Sequence, residues 1–174
     1  MTSLPLHPAI VHLPLGLAFV TPVLAFGFAW ALSKGAVRSR AWLSVIALQV
    51  MLLGAGLAAM KTGENEEDRA ERVVPAAAIE RHEEYAEQFV WAVGLTLVPA
   101  VLVFAFRKPA VARGMAVLTV VGTVVVAAAA IRVGHAGGQL VYVHNAGAAY
   151  ASEVKPAALE KVAPTTGEVE RDRR

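Results

Sequence analysis

Residues 6–32 read LHPAIVHLPLGLAFVTPVLAFGFAWAL, and this stretch decides the fold class of the chain. Its charge-free part, residues 9–32, matches the ~17–25 residues that a helix needs to cross a ~30 Å hydrocarbon core. His7 and His12 lie at its N-terminal edge together with Pro8 and Pro14. Pro8 suits the first turn of a helix, whereas Pro14 should disturb the helix around it. The stretch predicts a membrane-spanning helix with two imidazoles at its entrance.

Three further segments share this character: residues 41–60, 89–106 and 114–131 also contain no Lys, Arg, Asp or Glu. With 56% hydrophobic residues, 17% charged residues and a mean hydropathy of +0.54, the chain is too apolar for an ordinary soluble domain. No segment shows the strict alternation of a barrel strand. We therefore predict an all-α membrane protein with four transmembrane helices in an antiparallel bundle.

The predicted organisation is a single four-helix domain over residues 1–150, followed by a disordered tail over 151–174. No Lys or Arg precedes the first span, so it is expected to be retained rather than cleaved as a signal peptide. Without cysteines the chain has no disulfides and no covalent haem attachment. The predicted spans cover residues 8–32, 41–60, 76–106 (with its lipid-buried part at 89–106) and 114–140.

The distribution of charge predicts which side each loop faces. The connection 61–88 carries nine acidic and four basic residues, whereas the other two connections carry basic residues and no acid. Short loops rich in Lys and Arg remain in the cytoplasm. We expect a multi-pass protein of the bacterial inner (cytoplasmic) membrane with both termini in the periplasm. The basic residues that decide this are Lys34, Arg38 and Arg40 after the first span, and Arg107, Lys108 and Arg113 after the third.

All five histidines fall on the predicted outward face: His7, His12, His82, His135 and His144. From the ~1.5 Å helical rise, His12 and His135 form a deeper pair and the other three an upper group. Arg132 lies one turn below His135, at the outer edge of the apolar region, where an ionisable residue is a functional candidate. Snorkelling of Arg132 to the headgroups is the alternative.

Two imidazoles in a helix bundle are a common way to hold haem, and a porphyrin needs small residues beside it and a cation near its propionates, for which Arg132 is the candidate. Ala127, Ala130, Gly134 and Gly138 form a ridge of small residues on the fourth span, although tight helix packing is the simpler explanation of the ridge. A copper or zinc site would use three or four nitrogen ligands, to which a carboxylate such as Glu83 or Glu84 could be added. The simplest reading is that the histidines only hydrogen-bond at helix ends. Gln49 is expected to form an interhelical hydrogen bond.

Certain motifs of the chain resemble a family of small bacterial four-helix membrane proteins, known as domain of unknown function twenty-two thirty-one. They are His7-Pro8, Val11-His12 with Pro14, Arg81-His82, and Gly137-Gly138-Gln139-Leu140-Val141-Tyr142-Val143-His144. The resemblance covers residues 4–146. It implies a single four-helix domain in which His7, His12, His82 and His144 belong to the family pattern and His135 does not. The layout is also similar to that of b-type membrane cytochromes, which is an analogy of fold.

Three functions follow as hypotheses. The first is a haem b-binding membrane protein for electron transfer, with His12 ligating together with His82 or His144. The second is a periplasm-facing copper or zinc module on His7, His12, His82 and His144. The third is a cofactor-free accessory subunit of a larger membrane complex. The chain shows no nucleophile elbow, zinc-protease motif or phosphate loop, so no reaction of its own is predicted. The expected partners are the lipid bilayer and a redox protein or membrane complex, and no nucleic acid.

Overall fold

The computed structural model describes residues 5–36, 39–106 and 108–151. Across these ranges the chain forms helices and no strand, which confirms the predicted all-α class. The predicted tail beyond residue 151 lies outside the described residues. The helices are α1 (His7–Ile10), α2 (His12–Ser33), a 3-10 helix (Ser39–Trp42), α3 (Leu43–Glu64), α4 (Glu67–Ala70), α5 (Ala76–Leu102), α6 (Pro109–Tyr142) and α7 (Ala148–Ala151).

Four stretches are long and apolar enough to cross a membrane: His7–Ser33, Arg40–Glu64, Ala76–Leu102 and Pro109–Tyr142. Each of the four long helices packs against two others, α2 and α5 both contacting α3 and α6. The result is a four-helix bundle. We call the end that holds the start of α1 and the end of α6 the terminal end of the bundle.

Several helix bounds differ from the predicted spans: α5 ends at Leu102, four residues before the predicted end, and α6 begins at Pro109, five residues before the predicted start. Helix α3 continues to Glu64, four residues past the predicted end, and α6 continues through Gly137 and Gly138 to Tyr142. The first span is interrupted at Val11, between α1 and α2. This interruption lies at the place where Pro14 predicts a disturbance, since proline cannot donate the hydrogen bond of its turn.

Alanine makes up half of the buried hydrophobic residues in the described ranges, as expected where lipid supplies no hydrophobic force and close backbone contact provides the attraction. It divides into two apolar clusters. The upper cluster, nearer the terminal end, consists of Ala18, Leu52, Phe89, Val93, Val126 and Ala130. The lower cluster consists of Ala25, Trp42, Val45 and Ala116.

Two local interactions stabilise the lower end of the bundle, a C-terminal cap on α2 and a hydrogen bond from Trp42. Gly35 has a φ of 68° and ends α2 in a Schellman motif, because Gly35 N–H and Ala36 N–H donate to the carbonyls of Leu32 and Ala31. The indole N–H of the fully buried Trp42 donates to the carbonyl of Ala100 at 2.9 Å. This bond ties the 3-10 helix to the last turn of α5.

Among the glycines of the described ranges, Gly122 is the one at which a Cβ atom would come closest to a neighbouring residue. A Cβ atom at this position would lie 2.7 Å from both Cγ2 and Oγ1 of Thr96, a stiff and buried side chain on α5. We expect Gly122→Ala to lower the free energy of unfolding by about 1–3 kcal/mol, because overpacking forces the helices apart. Thermal unfolding in detergent measures the change.

Gly54→Ala is the matched control, since a Cβ atom at Gly54 would meet nothing within 4 Å. The control variant should be as stable as the wild type or more stable by up to about 1 kcal/mol, through its better helix propensity. Equal stability of the two variants would show that α5 and α6 are not in close contact at this level.

Candidate functional site

The backbone of His7 is held by a carboxylate from another part of the chain. Glu66, in the connection after α3, accepts hydrogen bonds on one oxygen from the backbone N–H groups of Leu6 at 2.7 Å and His7 at 3.2 Å. A negative charge at the start of a helix also complements the helix dipole. The second oxygen of Glu66 accepts a hydrogen bond from the Tyr150 hydroxyl at 3.0 Å. One carboxylate therefore joins the beginning of the bundle to α7.

The side chain of His7 is also held in place. Its Nδ1 donates to the carbonyl of Ala59 on α3 at 2.9 Å and lies 3.3 Å from the Thr62 hydroxyl, which itself donates to the same carbonyl. Because a carbonyl can only accept, Nδ1 carries the proton and Nε2 of the neutral ring keeps a free lone pair. The ring packs on Gly63, where a Cβ atom would lie 3.3 Å from the His7 Cε1.

His82, in the second turn of α5, lies next to His7. The two ring centroids are 6.1 Å apart and the ring planes are at 84°. The ring of His82 packs on Gly137 of α6, where a Cβ atom would lie 3.1 Å from Cε1, and the backbone of Val133 also interacts with it. Nδ1 of His82 is buried without a hydrogen-bond partner in the described structure. A buried polar atom without a partner is costly and suggests a missing ligand or water.

The candidate site is therefore a pair of imidazoles between α1 and α5, with α3 and α6 each contributing a glycine to the site. We call His7 and His82 the histidine pair. Within the described residues, no group of three or more His, Cys, Asp or Glu side chains could hold a metal ion. The pair offers two nitrogen ligands, one on a firmly hydrogen-bonded ring and one on a ring with an unsatisfied nitrogen.

The other predicted site residues lie apart from this pair. His12, the first residue of α2, and His135 on α6 are both exposed, and no hydrogen bond or ring contact links them in the parts of the chain that the structure describes. The amide of Gln139 donates to Nε2 of His135 at 3.3 Å. His144 is half-buried beyond the end of α6, where its backbone N–H donates to the Gln139 carbonyl at 3.1 Å.

The described contacts of Arg132 are with Tyr85 and Gln88 of α5 and not with the histidine pair. Its guanidinium lies 4.3 Å from the ring centroid of Tyr85, and one N–H donates to Gln88 Oε1 at 3.3 Å. Cation–π contact with a tyrosine at the membrane boundary is a structural role that bridges α5 and α6. The predicted use of Arg132 at a haem site stays a prediction.

The small-residue ridge of α6 divides into a packed part and an open part. Ala130 is fully buried in the upper cluster, and a Cβ atom at Gly134 would lie 3.7 Å from Leu15 of α2. A Cβ atom at Gly138 would meet nothing within 4 Å. Over most of its length, the ridge therefore serves helix packing.

Taken together, four apolar helices and a histidine pair at one end define a small helical membrane protein. The model of the family described as "Predicted membrane protein (DUF2231)" matches residues 3–150. The chain belongs to this family, as its histidine motifs had indicated. No curated protein and no solved structure matches the chain.

The sequence did not reveal the residues that support the histidine pair. Glu66 is one of nine acids in a connection that reads as a solvated surface, and nothing in its neighbourhood marks it as a helix cap. Gly63 lies just outside the predicted second span, where no pattern in the sequence distinguishes it. Gly137 lies in the Gly-Gly motif that carried the resemblance, and this motif was the sequence signal for a close contact with a ring.

Removal of the Glu66 carboxylate should loosen the terminal end of the bundle. We expect Glu66→Ala to lower the free energy of unfolding by about 1–2 kcal/mol, because two backbone N–H groups and the Tyr150 hydroxyl lose their acceptor. Tyr150→Phe removes only one of these bonds and should cost less. Hydrogen exchange at the amides of Leu6 and His7 should accelerate in Glu66→Ala.

Asp68→Ala is the control for charge, because Asp68 is an exposed acid in the same connection. Unchanged exchange rates at Leu6 and His7 in the Glu66 variant would contradict the assignment of this carboxylate as the cap.

Proposed function

We propose that this protein is a haem b-binding membrane protein for electron transfer, in which His7 and His82 would hold the haem iron. The observation that carries the proposal is the placement of two imidazoles from different helices 6.1 Å apart. The ligand pair differs from the pairs expected from sequence, which combined His12 with His82 or His144. The exposure of His12 is the reason for the change.

The separation of the rings matches two ligands of one metal. An imidazole nitrogen lies about 2.0–2.1 Å from a bound metal, and the ring centre lies about 1 Å behind the nitrogen, so two opposed ligands have ring centres roughly 6 Å apart. Edge-to-face ring contact alone occurs over about 4.5–7 Å, so the distance does not decide by itself. Hydrogen bonding adds the second argument. Ligating histidines usually donate their other N–H to a carbonyl, as His7 does to Ala59.

The number of donors favours haem over a bare ion. Zinc takes three or four protein ligands, and the described residues bring only two nitrogen donors together. Haem would need only two nitrogens from the protein, because the porphyrin supplies the other donors to its iron. Gly63 and Gly137 let the two rings pack directly against the backbones of α3 and α6, which fixes the position of both imidazoles. The buried Nδ1 of His82 has no hydrogen-bond partner in the described structure, which leaves room for a bound group to interact with this ring.

The residues of the chain have defined parts in this proposal. Haem, when bound, supplies one-electron chemistry at its iron. His7 and His82 bind and orient it, and Ala59 fixes the tautomer of His7 through its carbonyl. Glu66 positions His7 by holding its backbone N–H. The pair lies at one end of the bundle, so electrons would pass to a partner at that face of the membrane.

We further propose that this face is periplasmic and that the membrane is the bacterial inner membrane. The connections at the lower end carry the basic residues, among them Lys34, Arg40, Lys108 and Arg113, and the terminal end carries the acids. Basic connections remain on the cytoplasmic side. An electron partner would then be a periplasmic redox protein or a larger complex in the same membrane.

The absorption spectrum of detergent-purified protein, oxidised and then reduced with dithionite, tests the cofactor. We expect a sharp Soret band and split visible bands on reduction. His7→Ala and His82→Ala should each abolish or shift these bands, because each removes one axial nitrogen. His135→Ala is the matched control, since this exposed histidine lies on the same end of the bundle without joining the pair.

Three results would contradict the proposal. A spectrum that survives both substitutions would move the ligands to other residues. Stoichiometric copper or zinc without porphyrin on the same purified protein would replace haem by a metal module. Neither haem nor metal, together with a co-purifying membrane partner, would support the accessory-subunit function instead.

The orientation can be tested because the natural chain has no cysteine. In intact bacteria whose outer membrane admits a membrane-impermeant maleimide, Asp68→Cys at the terminal end should be labelled. Arg113→Cys at the lower end should react only after the inner membrane is opened. The reverse pattern would place the histidine pair on the cytoplasmic side.

A further inference from the structure

Five buried polar side chains lie inside the membrane-spanning part of the bundle, at least one on each long helix. They are Thr21 on α2, Gln49 on α3, Thr96 on α5, and Thr119 and Thr123 on α6. All five are at most 7% exposed, and Gln49 is 1% exposed. Polar groups at this depth are expensive and need an explanation.

These side chains share one level of the bundle. On every helix they lie between the residues of the upper and the lower part of the core, which explains why the apolar core is divided in two. Thr96 is in contact with α6 at Gly122, one residue from Thr123. We call the five residues the polar layer. The flanking core residues are Ala18 and Ala25 on α2, Leu52 and Val45 on α3, Val93 and Ala100 on α5, and Val126 and Ala116 on α6.

The hydrogen bonds of the polar layer are incomplete. Each threonine hydroxyl donates to a carbonyl of its own helix, at 2.7–2.9 Å: Thr21 to Leu17, Thr96 to Ala92, Thr119 to Met115 and Thr123 to Val120. The hydroxyl oxygens keep lone pairs that can still accept. Gln49 was expected to form an interhelical hydrogen bond, but neither Oε1 nor Nε2 has a partner in the described structure, and both atoms are buried.

We propose that the polar layer is an internal binding site for one or two water molecules, held by Gln49. The amide needs a ligand that donates to Oε1 and accepts from Nε2, and water does both. Water can also donate to the threonine oxygens, because the hydroxyl protons are already donated to backbone carbonyls. A buried water usually makes about three hydrogen bonds to otherwise unsatisfied groups. The two unsatisfied atoms of Gln49 supply two of these hydrogen bonds, and a threonine oxygen at the same level would supply the third.

An ion fits the same site poorly. A cation would suit the oxygens of the layer but would leave the Gln49 N–H groups without an acceptor. No acidic residue lies in the layer to balance a positive charge, and an uncompensated charge in a low-dielectric core is costly. An anion would meet the amide N–H groups alone. A neutral ligand that both donates and accepts hydrogen bonds, as water does, therefore fits the polar layer best.

Nuclear magnetic resonance of the uniformly ¹⁵N-labelled full chain in detergent tests the proposal with water itself as the probe. The side-chain amide of Gln49, assigned by its loss in Gln49→Leu, should show a dipolar cross-peak to the water resonance. It should also exchange with D₂O far more slowly than the amides of the exposed Gln88 and Gln139. A slowly exchanging amide without a cross-peak to water would overturn the proposal.

Two variants localise the water. Thr123→Val removes one oxygen from the layer at nearly constant shape and should weaken the Gln49 cross-peak several-fold. Thr62→Val removes a hydroxyl at the terminal end and should leave it unchanged. An unchanged cross-peak in Thr123→Val would place the water outside the layer and overturn the proposal.

Thermal unfolding of Gln49→Leu supplies a second readout. A hydrated amide contributes hydrogen bonds, so its loss should lower the unfolding midpoint or leave it unchanged. An amide that is buried without water or any other partner destabilises the folded bundle. Its replacement by leucine would then raise the unfolding midpoint by several degrees, contrary to the proposal.

Discussion

A hydrocarbon environment supplies no hydrogen-bond partners, so every polar group inside this bundle must be satisfied by the protein or by something bound to it. Most of the described bundle meets this requirement locally. Threonine hydroxyls donate to their own helices, and the indole of Trp42 donates to a carbonyl of α5. Two residues, His82 and Gln49, have buried side-chain polar atoms without a partner in the described ranges. Both inferred sites lie at these exceptions, and neither depends on the other.

Different interactions stabilise the two ends of the bundle. Below the terminal end, alanine and glycine allow the helices to approach closely, and shape complementarity supplies the attraction. At the terminal end, a single carboxylate, Glu66, receives bonds from the start of α1 and from α7. The His7 ring is thereby oriented by protein contacts alone. A ligand that binds there meets a ring already held in place, which lowers the ordering cost of binding.

Hydropathy and charge are properties of whole segments, and they were sufficient to predict four helices, their order and the end at which the histidines gather. The pairing of the histidines could not be obtained in this way. Heights along ideal helices matched His12 with His135, but height contains no information about the direction in which a side chain points. His7 and His12 are five residues apart, which is about 140° of rotation around a helix, so they face different directions, and His12 is exposed. Glu66 was equally inaccessible, because a helix cap supplied from about sixty residues away has no local sequence signal.

The proposed haem site rests on His7 and His82, and electron paramagnetic resonance of the oxidised protein tests it most directly. If both imidazoles held the iron, ferric haem would give a low-spin signal that depends on both residues. The account predicts that signal in the wild type and its conversion to a high-spin signal in His82→Ala. Absence of a ferric haem signal, or a low-spin signal that persists without His82, would contradict it.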